Sequence, residues 1–208
     1  FSADTMARQI KDACGVLGLT DIRFLQTEDD ILIHERVLVQ RMEDLIREVR
    51  PDIVITHHPH AEGGIGFTHA ITAQIVVHAC SSAHSLRPGH PHSPWRVAQI
   101  FFITPPQHTS YLDTAIPRWP LVFVDVGDVI ALKVQAEEKM EMQYRAEAAR
   151  KKHECIEGYW GVQAGVGYCE VFTPYYPEVH DHLPLGEHLW SRARASHLEN
   201  LRKLKMVL

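Results

Sequence analysis

The sequence predicts a layered α/β domain with a mostly parallel sheet. Three observations carry that class. Helix-like and strand-like segments alternate from Met6 to Phe172. The clearest strand, Asp52–Thr56 (DIVIT), is nearly all apolar, as a strand covered on both faces would be. Finally, no repeat or linker divides the 208 residues, of which 45% are hydrophobic, so a single domain over residues 1–208 is expected.

Met6, Ile10, Ala13 and Leu17 recur three to four residues apart and Gly18 supplies a stop, which predicts an amphipathic opening helix. Asp21–Thr27 (DIRFLQT) reads as a short strand, followed by an acidic turn at Glu28, Asp29 and Asp30. Val37, Leu38, Met42, Leu45, Ile46 and Val49 mark a second helix from His34 to Val49, closed by Pro51. The DIVIT strand follows directly. Beyond a glycine-bearing loop from His57 to Phe67, Thr68 is placed to cap a third helix through Ala73, Ile75, Val76 and Ala79. Arg87–Pro94 (RPGHPHSP) is loop by composition, whereas Val97–Ile103 (VAQIFFI) and Leu121–Val126 (LVFVDV) read as strands. Asp128 is placed to cap one long helix reaching Glu157, with Ile130, Val134, Met140 and Tyr144 inward. Val166–Phe172 alternates as a strand, and a charged helix ends the chain.

Composition narrows the function classes. The formal net charge is −5 and no basic run exceeds Arg150-Lys151-Lys152, which points away from nucleic acid and anionic membrane as partners. No apolar run approaches the ~20 residues of a membrane span, and no signal-peptide pattern opens the chain. Cys14, Cys80, Cys155 and Cys169 lie far apart and form no CxxC pair, as expected of a reduced, cytoplasmic protein. Neither GxGxxG nor GxxxxGK occurs, so the usual dinucleotide and phosphate fingerprints are absent.

In an open α/β sheet, ligands collect where loops leave the carboxyl ends of the strands. The DIVIT strand empties into His57, His58, Pro59, His60, Ala61 and Glu62, then a glycine-rich run to His69. Fifteen histidines occur in the chain, several of them between His57 and His92. A neutral imidazole on a loop or in a first helical turn holds zinc at ~2.1 Å, and glycines let the backbone curl around an ion. By spacing alone, such a cluster is a weak signal that reads more readily as solvated loop histidines than as a metal site.

The order of segments resembles a known family. Arg8 with the helix running to Leu17-Gly18, FLQTEDDIL, IREVRPDIVITHHP, a loop ending in His69, VDVGDVIALKVQAEEKMEMQY and GVGYCEVF look like successive blocks of the LmbE-like (PIG-L) zinc-dependent N-deacetylases. The resemblance spans Arg8 to Phe172. It implies a Rossmann-like three-layer fold and one zinc held by a His-Pro-Asp-Asp motif after the first strand plus a later histidine. It also implies hydrolysis of an N-acyl group, usually acetyl, on an amino sugar or related small molecule. His69 matches the later histidine and becomes the expected metal ligand. Arg8 and Asp29 stand where the family contacts substrate, and a bidentate arginine and a carboxylate suit sugar hydroxyls and phosphates. Asp125, Lys133, Tyr168 and Glu170 match positions that fix the last strand and long helix. Several proteins of this kind assemble into symmetric multimers, so a homo-oligomer is also implied.

Two departures from the pattern stand out. The His-Pro-Asp-Asp segment is not in these residues, and the chain opens in a helix, which implies that the first strand is missing from this chain. The family's His-x-x-His has Gly66 at its first place here. His57, His58 or His60 could then protonate the leaving amine, and His57, nearest the strand end, is the choice carried forward. These residues predict that His69, His57, Arg8 and Asp29 converge at one sheet edge. Two alternatives stay open: another hydrolase chemistry, such as glycoside cleavage, or a non-catalytic small-molecule binding domain.

Overall fold

The computed structural model describes residues 2–25, 34–59, 67–103, 122–141 and 145–204, and among them are seven helices and four strands. The architecture is mixed α/β, as expected. The chain divides into two compact units: Leu25–Val122 with Val171–Val179, and Phe1–Phe24 with Phe123–Glu170 and His180–Leu208. Among the described residues no helix is long and apolar enough to cross a membrane.

The unit containing the strand DIVIT is built from α2 (Arg36–Val49), β1 (Ile53–Thr56), α3 (Phe67–Ala83) and β2 (Gln99–Ile103). The end of β4 (Cys169–Pro174) completes it. β1 and β2 run parallel with Ile53 opposite Gln99, while β2 and β4 run antiparallel with Phe102 opposite Thr173. Of these two pairings only one is parallel, so the sheet is mixed here. Leu38, Val39 and Ile46 on α2 meet Ile75, Val76, Ala79, Cys80 and Ala83 on α3, each set spaced to form one helix stripe. Ala79 and Ala83 are fully buried, and their small side chains let the helices approach closely. Ile100 and Phe102 alternate inward from β2 and join the same core.

Trp95 fastens the ends of these elements. Its backbone N–H donates to Ala83 O at 2.9 Å, its indole Nε1–H donates to Pro51 O at 2.8 Å, and the Arg50 guanidinium lies 4.4 Å from its ring centroid. Arg50, in the left-handed conformation at φ 56°, ends α2 and turns the chain into β1. β1 departs from expectation, because Ile53 and Ile55 remain 55% and 57% exposed. Among the described residues its parallel partner is β2, and its inward-facing side chains alone are covered.

The other unit comprises α1 (Ala3–Val16), most of β3 (Val122–Asp125), α4 (Ile130–Glu137), α5 (Ala146–Ala164), the start of β4, α6 (Glu187–Arg194) and α7 (His197–Lys203). α1 opens on Ser2, whose Oγ accepts from Thr5 N–H, and ends before Gly18, at φ +75°. It packs on α4, and α4 packs on α5. Ser196 and Glu199 form a reciprocal capping box at the start of α7.

Three expected elements are corrected. Residues 21–25 of the expected Asp21–Thr27 strand are not a strand, and the rest lies outside the described residues. A strand needs a ladder partner, and the four described strands pair only with one another. Asp21 and Arg23 instead form a local two-bond ion pair at 2.8 and 3.0 Å. The single long helix from Asp128 is in fact two. α4 closes with tight i→i−3 bonds from Lys139 and Met140, and Arg145 restarts the helix in an extended conformation, so Val129 and Arg145 occupy the N-cap positions rather than Asp128. Thr68 lies inside α3 and its carbonyl accepts from Thr72 Oγ1, so it is not the cap.

Candidate functional site

β1 ends at Thr56, and His57 is the next residue, at the carboxyl end of the strand. His69 sits in the first turn of α3. The two imidazoles stack face to face, centroids 4.2 Å apart and planes 7° from parallel. Two imidazolium ions could not share that geometry without strong repulsion. Burial first, and then the nearby His69, hold the His57 ring below its ordinary pKa. The N-terminal end of a 17-residue helix adds a positive partial charge that also disfavours a second proton. His57 is thus a neutral imidazole at pH 7, the form that can ligate a metal or accept a proton. Next to it, His58 packs edge-on against Phe102 of the core, and Pro59 O accepts from Gln74 Nε2, which ties the loop's first residues to α3.

Of the four residues expected to converge, the structure brings His57 and His69 together. Arg8 lies exposed on α1 in the other unit. Asp29 lies outside the described residues, as do His60, Glu62, Gly66 and the Pro105–Trp119 loop. Whether these residues fit zinc divides in two. As donors, two imidazoles suit it; in number they fall short, because among the described residues no group of three or more His, Cys, Asp and Glu side chains is disposed to hold a metal ion.

The sequence pattern pointed to neither the Glu43–Arg47 cluster nor the Glu157 partner of a second one. Arg47, 2% exposed, donates to Glu43 Oε1 at 3.0 Å and to the carbonyls of Ser82 and Ser85 at 3.4 and 2.8 Å, neutralising the C-terminal end of α3. Lys133 of α4 donates to Glu157 of α5 at 2.6 Å and to Glu170 of β4 at 2.5 Å. Lys133 and Glu170 therefore fix helix to strand, as their family positions implied, whereas their partner Glu157 had no such signal. Its i,i+4 spacing from His153 was the available clue, as the spacing of Glu43 and Arg47 was for the other cluster. A second histidine stack, His34 on His78, has Nε2 and Nδ1 3.3 Å apart on the exposed side of α3.

Comparison with known proteins agrees with the resemblance. Residues 3–80 match the PIG-L family, described as GlcNAc-PI de-N-acetylase. A protein of Bacillus cereus described as a probable N-acetyl-alpha-D-glucosaminyl L-malate deacetylase 2 is 36% identical over 76 residues, which cover 36% of this chain. The match spans 34% of that relative's length. Among solved structures, a conserved protein of Thermus thermophilus superposes with TM-score 0.70 at 20% identity, over 89% of this chain and 80% of its own. GalB, the 4-carboxy-2-hydroxymuconate hydratase of Pseudomonas putida, also gives 0.70, at 18% identity over 87% and 75%. N,N'-diacetylchitobiose deacetylase of Pyrococcus horikoshii gives 0.67 at 19% identity over 83% and 63%. The family match over residues 3–80 and the fold are thus shown together.

Proposed function

We propose that this chain serves a zinc-dependent hydrolase that removes an N-acyl group, acetyl by preference, from an amino sugar or a related small amide. The observation that carries the reading is the His57–His69 stack, formed at the carboxyl end of β1 inside the segment that matches the de-N-acetylase family. The similarity to a protein described as an N-acetylglucosaminyl malate deacetylase supports the substrate class.

Zinc, when bound, would act as a Lewis acid on the acyl carbonyl and lower the pKa of water. His69, exposed in the first turn of α3, is the described residue best placed to ligate it. His57 would pass on the proton that the departing amine needs, taking it up during the reaction because its lowered pKa leaves the resting ring neutral. Arg8 and Asp29 are proposed for the polar groups of the substrate. The remaining ligands and the general base would come from residues other than the described ones.

The test is His69→Ala in the full-length gene product, with zinc content, deacetylation of a small N-acetylglucosaminide and melting temperature measured together. Zinc and activity should fall steeply while the melting temperature in the metal-free state stays close to wild type, because His69 is exposed and contributes little to the core. A variant with full zinc and full activity would remove His69 as a ligand. Lost activity with unchanged zinc would make it a proton carrier instead.

A further inference from the structure

α4 and α5 face each other through a set of charges placed in register. Lys133 and Glu137 lie four residues apart on α4, and His153 and Glu157 four apart on α5, so each pair occupies one helix face. Across the gap Lys133 meets Glu157, with Nζ to Oε1 at 2.6 Å, and Glu137 meets His153, with Oε2 to Nε2 at 3.0 Å. On α5 itself, His153 Nδ1 lies 2.9 Å from Glu157 Oε2. Lys152 donates to Glu137 Oε1 at 3.1 Å, and Glu170 of β4 takes the other side of Lys133. Glu137, Glu157, Lys133, Lys152 and Glu170 thus face His153 or its immediate partners.

The protonation of the ring follows from this geometry. An ionised carboxylate only accepts hydrogen bonds. His153 presents one nitrogen to Glu157 and the other to Glu137, so both nitrogens need a proton if both carboxylates are ionised. Each glutamate is kept ionised: burial works against it, but the neighbouring His153 and a lysine prevail and hold its pKa below the ordinary value. The Nε2 contact lies off the axis of a good hydrogen bond, so attraction between charges carries that side. Charge balance agrees. Three carboxylates, Glu137, Glu157 and Glu170, meet two ammonium groups, Lys133 and Lys152, and neutrality is reached only with a cationic ring. With the residue 1% exposed, water cannot supply the missing charge.

We propose that His153 is held as an imidazolium, the central cation of a clasp that fastens α4 to α5, and that the clasp opens when the ring loses its proton. The ring gains its raised proton affinity from Glu137 and then Glu157, against the opposing effect of burial, and its pKa rises to about 9. Because that value exceeds the unfolded value of about 6.5, the clasp stabilises fully below pH ~6.5 and is lost as pH climbs through about 9. The opening would release the end of α4, the helix on which α1 packs. Ordinary histidines are neutral over most of that interval and change nothing in it.

Nitrogen-15 NMR of histidine rings in the wild-type chain tests the claim directly. At pH 8 one ring should carry protons on both nitrogens, and it should disappear from the spectrum of His153→Gln. In Glu137→Gln its titration should move down by at least roughly one pH unit, the size of effect that loss of a neighbouring carboxylate produces. Wild-type melting temperature should drop by at least about 3 °C from pH 7 to 9.5, and by less in His153→Gln. If His153→Gln does not fold, the wild-type spectrum and the Glu137→Gln titration decide the matter. A spectrum with every ring neutral at pH 8, or a titration unmoved by Glu137→Gln, would overturn the proposal.

Discussion

A histidine's chemistry depends on what its ring touches, and His57 and His153 lie at opposite ends of that range. His57 has a second imidazole against its face and a partly buried setting, and is pushed toward neutrality. His153 has a carboxylate at each nitrogen and is pushed toward the cation. The depressed pKa of His57 means that its contribution to stability is complete above pH ~6.5 and is lost as the pH falls through its folded value. His57→Gln should accordingly lose less melting temperature than wild type between pH 7 and pH 5. If His57 also delivers the proton to the leaving amine, the same variant should retain zinc while kcat falls by about 10²–10⁴-fold. Unchanged kcat with an altered acid limb would leave His57 a purely structural partner of His69. The pair could be read from sequence, since a histidine directly after a strand and another at the next helix start share one end of a β-α unit. His153 could not, because its role depends on Glu137, 16 residues away, arriving opposite it.

At the level of elements, the helix stripes and apolar strands could be read, and the misreadings were places where local pattern yields to partners. An unbroken apolar periodicity suggested one helix from Asp128, but the break after Glu137 is what folds α4 onto α5 and creates the charge register. DIRFLQT has strand composition, yet β propensity expresses itself only beside a neighbouring strand. Two substitutions test the packing. Arg47→Ala would strand the buried Glu43 carboxylate and uncover the carbonyls of Ser82 and Ser85, and should cost about 3 kcal/mol or more by denaturant unfolding. Arg87, 3.6 Å from Glu43, is 42% exposed and offsets little of that. Gly161→Ala turns on a sign. In an ordinary helix interior, alanine is favoured over glycine by about 1 kcal/mol. Here the added Cβ would meet Gly167 O at 2.5 Å and Val166 O at 2.8 Å, backbone atoms that cannot step aside. Overpacking should win and destabilise by about 1–3 kcal/mol, whereas a stabilised Gly161→Ala would show that the turn after α5 is free to move.

For the molecule as a whole, the fold and the reaction answer to different evidence. Similar TM-scores, 0.70 and 0.67, join this chain to a protein described as a hydratase and to one described as a deacetylase, at 18% and 19% identity. One scaffold therefore accompanies different chemistries, and the reaction must be argued from the site. Alternation of apolar segments was enough to predict an α/β architecture, because layering follows from burying helix stripes on a sheet. It could not establish a metal, since the ligands of such a site come together from separate loops. Chelation addresses that gap in the full-length gene product. If zinc is bound by the folded state alone, removing it with a chelator should abolish deacetylation and lower the melting temperature together, as mass action requires of any ligand specific to the native state. Returning zinc should restore both, and returning magnesium should not, since imidazole donors favour the borderline-soft ion over the hard one. Deacetylation that persists undiminished after metal analysis shows less than about a tenth of an equivalent bound would exclude a metal-dependent mechanism and leave the His57–His69 pair to be explained as a metal-free acid–base couple.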